Sequence, residues 1–291
     1  MRGRTEPPRL REWTLELASE PEHAADPRDH DLVLRAKQAA TDGLELVLVS
    51  VSSALGIEYL PPAESVELLD AWHEGALDLP SSFGAWALAC LTDPDPAALK
   101  RQLGRGFAGL QLPATALLDR AGYAHVGPLL EVLEDHCKPL FVHPGPANSW
   151  RPGAPSWWPA MVDYVGQMHR AWFAFRAFGR AAHPRLRVCF AMLAGLAPLH
   201  GERFAARAGD RSPVDDEVFL EVSSYGTRAI DATVRVLGVD SLVNGSDRPY
   251  ARPIDPELGD AVSWALRRSN PLRLLDIEEE VLDGLAIPAG T

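Results

Sequence analysis

Two short stretches end an apolar run on a side chain able to bind a metal or move a proton. In Phe141-Val142-His143-Pro144-Gly145 a strand-like run delivers a histidine, and Pro-Gly then turns the chain sharply. A neutral imidazole so placed can ligate a metal or carry a proton. In Ser241-Leu242-Val243-Asn244-Gly245-Ser246-Asp247 a second run delivers a carboxylate behind a Gly-Ser turn. Asp247 there suits a ligand or a catalytic base. Each also has a plain structural reading: His143 as a hydrogen-bonded turn residue, Asp247 as a turn or helix cap paired with Arg248. Two further runs end in hydroxyls, Ser50-Val51-Ser52-Ser53 and Glu221-Val222-Ser223-Ser224-Tyr225-Gly226. These hydroxyls, that of Tyr225 included, suit either substrate contact or the capping of the next helix. The loop after His143 carries Trp150, Trp157 and Trp158 among three prolines and a glycine in the stretch WRPGAPSWWP from Trp150 to Pro159, a stiff aromatic segment for a pocket wall or for the rim.

Other chemistries lack their signatures. There is no G-x-S-x-G elbow, no His-x-His pair and no H-E-x-x-H. Gly104-Arg105-Gly106-Phe107-Ala108-Gly109 spells G-x-G-x-x-G, but it follows a helical pattern and precedes a strand. That is the reverse of the dinucleotide-binding order, so it reads as a helix stop and turn.

The elements that must hold these residues alternate. Strand patterns cover Leu44–Val51, Ala85–Leu91, Gly109–Leu112, Pro139–Val142, Leu186–Met192, Val218–Val222 and Ser241–Val243. Several are apolar throughout, as strands covered on both faces are. Helical patterns lie between them, opened by Asp95-Pro96 in one case and closed by Gly43, Gly104 and Gly238 in others. Repetition of strand, helix, strand implies a parallel sheet with right-handed crossovers, an α/β fold. Seven such units followed by helical patterns at Pro256–Arg268 and Asn270–Leu285 approach the eight of a (β/α)8 TIM-like barrel. The first strand is the missing one. Residues 1–30 form an irregular segment whose strand-like piece, Trp13–Leu17, is too polar for a central barrel strand. Either that segment fills the gap, or the first strand lies upstream of Met1; the second is the expectation. Residues 31–291 read as one barrel domain. The helical aromatics Trp172, Phe173, Phe175 and Phe178 read as core.

Composition narrows the partners. The 291 residues carry 28 Lys+Arg against 40 Asp+Glu, a net charge of −12, and only Lys37, Lys100 and Lys138 are lysines. Such a balance disfavours nucleic acid and anionic membrane surfaces. No run of about 18 apolar residues spans a membrane, and the first residues lack the apolar core of a signal peptide. Cys90, Cys137 and Cys189 each sit in an apolar context and read as reduced, buried thiols of a soluble cytoplasmic protein.

Taken in order across roughly residues 31–275, these pieces resemble the amidohydrolase-related branch of the metal-dependent hydrolases, which includes aminocarboxymuconate-semialdehyde decarboxylase-like enzymes. GFAGLQL is similar to that branch's fourth strand and LLEVLEDHCKPLFVHPG to its fifth helix-to-strand passage. HPRLRVCFAMLAGLAP resembles the sixth strand, EVSSYG the seventh and LGVDSLVNGSDRP the eighth. The resemblance implies a barrel whose mouth holds one or two divalent metals, commonly zinc. It makes His143 and Asp247 metal ligands, and it leaves the His-x-His pair of the first strand without a counterpart. Where the branch ends its sixth strand with a histidine this chain has Met192, which does no acid–base chemistry; His200 on the next helix is the candidate to reach back. The fourth strand ends Leu112-Pro113 with no lysine, so a single zinc is expected.

The implied activity is that of a metal-dependent hydrolase. A metal-activated water attacks the carbonyl carbon of a small amide, ester or lactone, Asp247 shuttles the proton, and Arg248 or Arg203 grips an acidic substrate. The alternatives are a non-oxidative decarboxylase of an aromatic or dienoic acid, and a binding protein impaired by the absent pair. Small-molecule substrate aside, the expected partner is a second copy of the chain, a homodimer closing the open seam beside the second and eighth strands.

Overall fold

The computed structural model describes residues 26–208 and 214–278 and, nearer the start, 9–11, 14–16, 21, 23 and 24. Three short antiparallel strands come first, β1 (Arg9–Arg11), β2 (Thr14–Glu16) and β3 (His23–Ala24), which pair in the order β1-β2-β3. Thr14–Glu16, within the polar strand-like piece Trp13–Leu17, is therefore the middle strand of a separate small sheet; Trp13 and Leu17 lie outside the described residues.

Seven parallel strands follow: β4 (Val47–Val49), β5 (Phe83–Ala85), β6 (Leu110–Pro113), β7 (Leu140–His143), β8 (Val188–Phe190), β9 (Val218–Glu221) and β10 (Leu242–Val243). Six of the expected runs hold one of them to within a residue, whereas β5 shares only Ala85 with the expected run Ala85–Leu91. β4 pairs with β5 from Val47↔Phe83 to Val49↔Ala85, and a single parallel bridge, Ala87↔Leu110, carries the sheet on to β6. From β6 to β10 every strand pairs with the next in the chain. Sequential parallel neighbours are what a barrel wall requires. Leu110, Leu112, Leu140, Val142, Val188, Phe190, Leu220 and Leu242 are wholly buried, which explains why these runs do not alternate.

The helices are α1 (Leu32–Thr41), α2 (Pro62–Leu77), α3 (Pro96–Gly104), α4 (Arg120–Asp135), α5 (Tyr164–Ala174), α6 (Arg180–Ala182), α7 (Gly201–Ala208), α8 (Thr227–Leu237), α9 (Asp260–Trp264) and α10 (Asn270–Leu275). Single π-helical turns lead into α5, join α5 to α6 and join α9 to α10. Carboxylates start three of them. Asp31 accepts from the amides of Val33 and Leu34, Asp95 from Ala97 and Ala98, and Asp119 from Gly122. Of the expected helix stops, Gly43 and Gly238 take left-handed φ values of 67° and 90°; Gly104 is the last residue of α3, and Gly106 makes the turn at φ 105°. Trp172 and Phe175 are buried as expected, with Phe173 and Phe178 packed against the core. Cys90 and Cys189 are buried, but Cys137 is exposed: it follows α4 with φ 48°, between His136 and Lys138, where the chain turns outside the sheet. No helix among the described residues is long and apolar enough to cross a membrane.

Closure by strand pairing is not seen among the described residues, since β4 and β10 do not bond to each other. The outer edge of β10 is nevertheless occupied. The amide of Asn244 donates to the Leu266 carbonyl at 2.8 Å, and buried Asn270 donates its Nδ2 to Leu242 O at 2.7 Å and Val239 O at 2.8 Å. The terminal helices thus satisfy backbone groups that a neighbouring strand would have used. Arginines bridge the remaining gap. Arg248 grips Asp42 through both oxygens at 2.7–3.0 Å, Arg268 reaches Glu45 at 3.1 Å, and Arg267 donates to the carbonyls of Asp42 and Gly43. The β10 side of the seam is therefore not the open edge expected to recruit a second copy.

Candidate active site at the barrel mouth

Because β4 to β10 are parallel, their C-terminal ends lie at one end of the sheet. His143 is the last residue of β7, Glu221 the last of β9, and Met192 and Asp247 follow β8 and β10 by two and four residues. The Nδ1–H of His143 donates to the Pro144 carbonyl at 3.0 Å, which leaves Nε2 as the acceptor nitrogen. Burial holds this imidazole below its ordinary pKa, so it is neutral at pH 7.

Asp247 stands in the left-handed region at φ 51°, and so does Ser224 at φ 63°. The Ser224 hydroxyl donates to Asp247 Oδ2 at 3.3 Å. The carboxyl of Asp247 is open to solvent at its rim yet crowded by protein, and that desolvation raises its pKa. Left-handed backbone costs an ordinary residue about 1–2 kcal/mol, less for an aspartate, so the turn is held by its surroundings.

Glu221 ties three strand ends together. Its Oε1 accepts from Ser223 N at 2.7 Å, and its Oε2 accepts from Ser223 Oγ at 2.7 Å and from Met192 N at 3.3 Å. Gly245, two residues before Asp247, packs directly on this carboxyl: a Cβ there would fall 1.4 Å from Oε1. Burial pushes the Glu221 pKa up to about 7, with the charge of Asp247 adding to the shift and the hydrogen bonds opposing it. Opposite it, Met192, Leu193, Ala194, Gly195 and Leu196 form a left-handed turn with φ between 48° and 61°. Gly195 is required there, since a Cβ would meet the Val165 carbonyl at 2.6 Å.

Sequence reasoning passed over Glu221. Its visible signal is one carboxylate ending an otherwise apolar run, VFLE. The other site candidates scatter. Arg248 faces the seam, gripping Asp42. Arg203 and His200 are exposed at α7, and the ring of His200 meets that of His169 on α5 with centroids 5.1 Å apart. Trp150 is half-buried, its indole nitrogen enclosed without a partner. Trp158 donates to Ser149 Oγ at 3.0 Å, which donates to Asp163 at 2.5 Å, anchoring the loop to the helical stretch leading into α5. Tyr225 is half-buried against the core, and burial raises its hydroxyl pKa. The structure brings together Glu221, Ser223, Ser224, Gly245 and Asp247; no hydrogen bond or ion pair joins His143 to Asp247.

A resident metal finds too few donors here. Among the described residues no group of three or more His, Cys, Asp or Glu side chains is placed to hold one. His143 and Asp247 supply two donors at strand ends, and a catalytic zinc site draws on three protein ligands. The described donor set does not fit a resident metal, zinc included.

No protein-family model matches the chain, and no curated protein matches it in sequence. Solved structures do match in fold. The chain is similar to 2,6-dihydroxybenzoate decarboxylase from Rhizobium at 17% identity and a TM-score of 0.65, covering 87% of this chain and 89% of that one. It is similar to 5-carboxyvanillate decarboxylase from Novosphingobium aromaticivorans at 16% identity and a TM-score of 0.68, over 84% and 80% of the two chains; that structure holds manganese and 3-methoxy-4-hydroxy-5-nitrobenzoic acid. A third likeness is to a dihydroxybenzoic acid decarboxylase from a Polaromonas species, with manganese and 2-nitroresorcinol bound, at 15% identity and a TM-score of 0.62 over 87% of each chain. The fold is that of the amidohydrolase-like decarboxylases.

Proposed function

We propose that this chain, built on the amidohydrolase-like decarboxylase fold, is a non-oxidative decarboxylase of a small aromatic or dienoic carboxylic acid. The observation that carries the reading is the strand-end carboxyl of Asp247. A left-handed backbone presents it at the mouth, the Ser224 hydroxyl holds one oxygen, and desolvation raises its pKa, the direction that favours a proton donor. Decarboxylation needs such a group. The ring carbon bearing the carboxylate takes a proton, the bond to the carboxylate breaks, its electron pair returns to the ring, and carbon dioxide leaves. Asp247 gives that proton and regains one from solvent. Neutral His143 lines the same end of the sheet and can accept a hydrogen bond from a ring hydroxyl through Nε2.

The fold likeness supports decarboxylation over hydrolysis, because the named neighbours with bound aromatic ligands are decarboxylases. Hydrolysis of an amide, ester or lactone ranks second. The test is carbon dioxide release by the full chain from a panel of hydroxybenzoates, with and without added manganese, beside Asp247→Asn. Release that Asp247→Asn abolishes supports the reading; cleavage of esters or amides without carbon dioxide transfers it to the hydrolases.

A further inference from the structure

The turn after β7 is held from two sides. Gly145 has no room for a side chain: a Cβ there would lie 2.2 Å from Thr115 Oγ1 and 3.1 Å from Pro113 Cβ, at the end of β6. That threonine hydroxyl shares a 2.7 Å hydrogen bond with the hydroxyl of Tyr59. On the other side stands Gln167 of α5, buried on the same helix face as Ala171 one turn on. Its Oε1 accepts from Gly145 N at 2.7 Å, and its Nε2 donates to the Pro146 carbonyl at 3.0 Å. The amide can face only one way, since the flipped form would set N–H against N–H and oxygen against oxygen.

The N–H of Gly145 and the carbonyl of Pro144 belong to one peptide unit, and a planar peptide turns as a single body. That carbonyl is the acceptor for His143 Nδ1–H, at 3.0 Å. One chain of hydrogen bonds therefore runs from Gln167 Oε1 through the Pro144–Gly145 peptide to the imidazole, and each bond polarises the next. Which ring nitrogen of a neutral histidine carries the proton is set by the bond that nitrogen makes.

We propose that Gln167 is a positioning residue for His143. By fixing the Pro144–Gly145 peptide it holds the imidazole in the Nδ1–H tautomer and keeps Nε2 an acceptor, ready for a hydroxyl group. With the peptide released, the proton can move to Nε2, and that nitrogen becomes a donor suited to a carboxylate instead. Gln167 thereby sets which kind of ligand group His143 takes, although its own polar atoms are spent on the turn. The use of Nε2 by a phenolic acid rests on the decarboxylase reading; the tautomer does not.

The experiment is long-range proton–nitrogen NMR of the full chain with isotope-labelled histidine rings, at about pH 8, where an imidazole is neutral. His143→Gln identifies the His143 signals among those of the nine histidines. The native chain should show Nδ1 as the protonated nitrogen and Nε2 as the bare one. Gln167→Met, close in length but without either bond, should shift both nitrogens toward the averaged values of exchanging tautomers. Gln167→Asn, one methylene too short, should do the same, and it decides the matter where circular dichroism finds the methionine variant unfolded. Gln167→Glu keeps an oxygen for Gly145 N and, when protonated, a donor for Pro146 O, so it should keep the native pattern. A native chain protonated at Nε2 overturns the proposal. So do unchanged His143 signals in the folded methionine or asparagine variant, or a glutamate variant that loses the pattern as fully. No substrate enters the measurement, so a failed tautomer assignment and a failed decarboxylation assay are told apart.

Discussion

Gly245→Ala tests how the mouth is held together. The backbone at Gly245 is not left-handed, so alanine meets no conformational objection and would even restrict the unfolded chain. Its objection is space: the added Cβ would lie 1.4 Å from Glu221 Oε1 and 2.2 Å from Cδ. The carboxyl must swing away and surrender its bonds to Ser223 N, Ser223 Oγ and Met192 N. Hydrogen bonds to a buried carboxyl contribute about 1 kcal/mol or more each, and overpacking adds about 1–3 kcal/mol. The expected loss is therefore about 3–6 kcal/mol, which lowers the melting temperature by roughly 5–10 °C in a chain of this size. Urea unfolding of Gly245→Ala, Glu221→Ala and the double variant measures it. With Glu221 truncated the clash is gone, so Gly245→Ala should then cost less than about 1 kcal/mol. A loss below about 1 kcal/mol in the native background, or the same loss in both backgrounds, refutes the interlock.

Three further outcomes follow from the same geometry. Arg248→Ala removes the bidentate grip on Asp42 across the seam, and because both side chains are mostly shielded, at 23% and 16% exposure, urea unfolding should show a loss of about 1–3 kcal/mol. Gly195→Ala, at φ 60° and 2.6 Å from the Val165 carbonyl, should cost at least about 2 kcal/mol by the same measurement, since neither backbone gives way easily. His73 accepts from Leu88 N in its neutral form, and burial lowers its pKa to about 4. A folded-state value below the unfolded one gives stability that is complete above about pH 6.5 and is lost as pH falls toward 4, up to about 3 kcal/mol. Unfolding of the native chain against His73→Gln across pH 4–7 reads this out; parallel stability curves would contradict it.

The barrel wall was legible because strands buried on both faces read as unbroken apolar runs: β4, β8, β9 and β10 lie within their expected stretches, β6 and β7 run one residue past theirs, and β5 shares only Ala85 with its own. Their ends were less so. The run Leu44–Val51 shrinks to Val47–Val49, a half-buried strand paired on one side among the described residues, and the run at Ala85 begins pairing at Phe83. Strand-end position singled out His143, which ends β7, and Asp247, which follows β10 by four residues. The seam was illegible, because Arg248 and Asp42 lie 206 residues apart and either reads alone as a surface charge. Glu221 was passed over because its weight comes from Gly245 and Met192, which follow the ends of other strands. The left-handed turn is equally silent: Met192, Leu193 and Ala194 carry no local sign of positive φ. What the N-terminal segment does lay outside local patterning too, since pairing within its own small sheet depends on partners and not on apolar periodicity.

The most direct test of the account is decarboxylation in deuterium oxide, followed by proton NMR of the product from each hydroxybenzoate that releases carbon dioxide. The account predicts one deuterium at the carbon that carried the carboxylate, and a rate at least a hundredfold lower for Asp247→Asn. Every acid of the panel recovered intact, or Asp247→Asn turning over at the native rate, contradicts it.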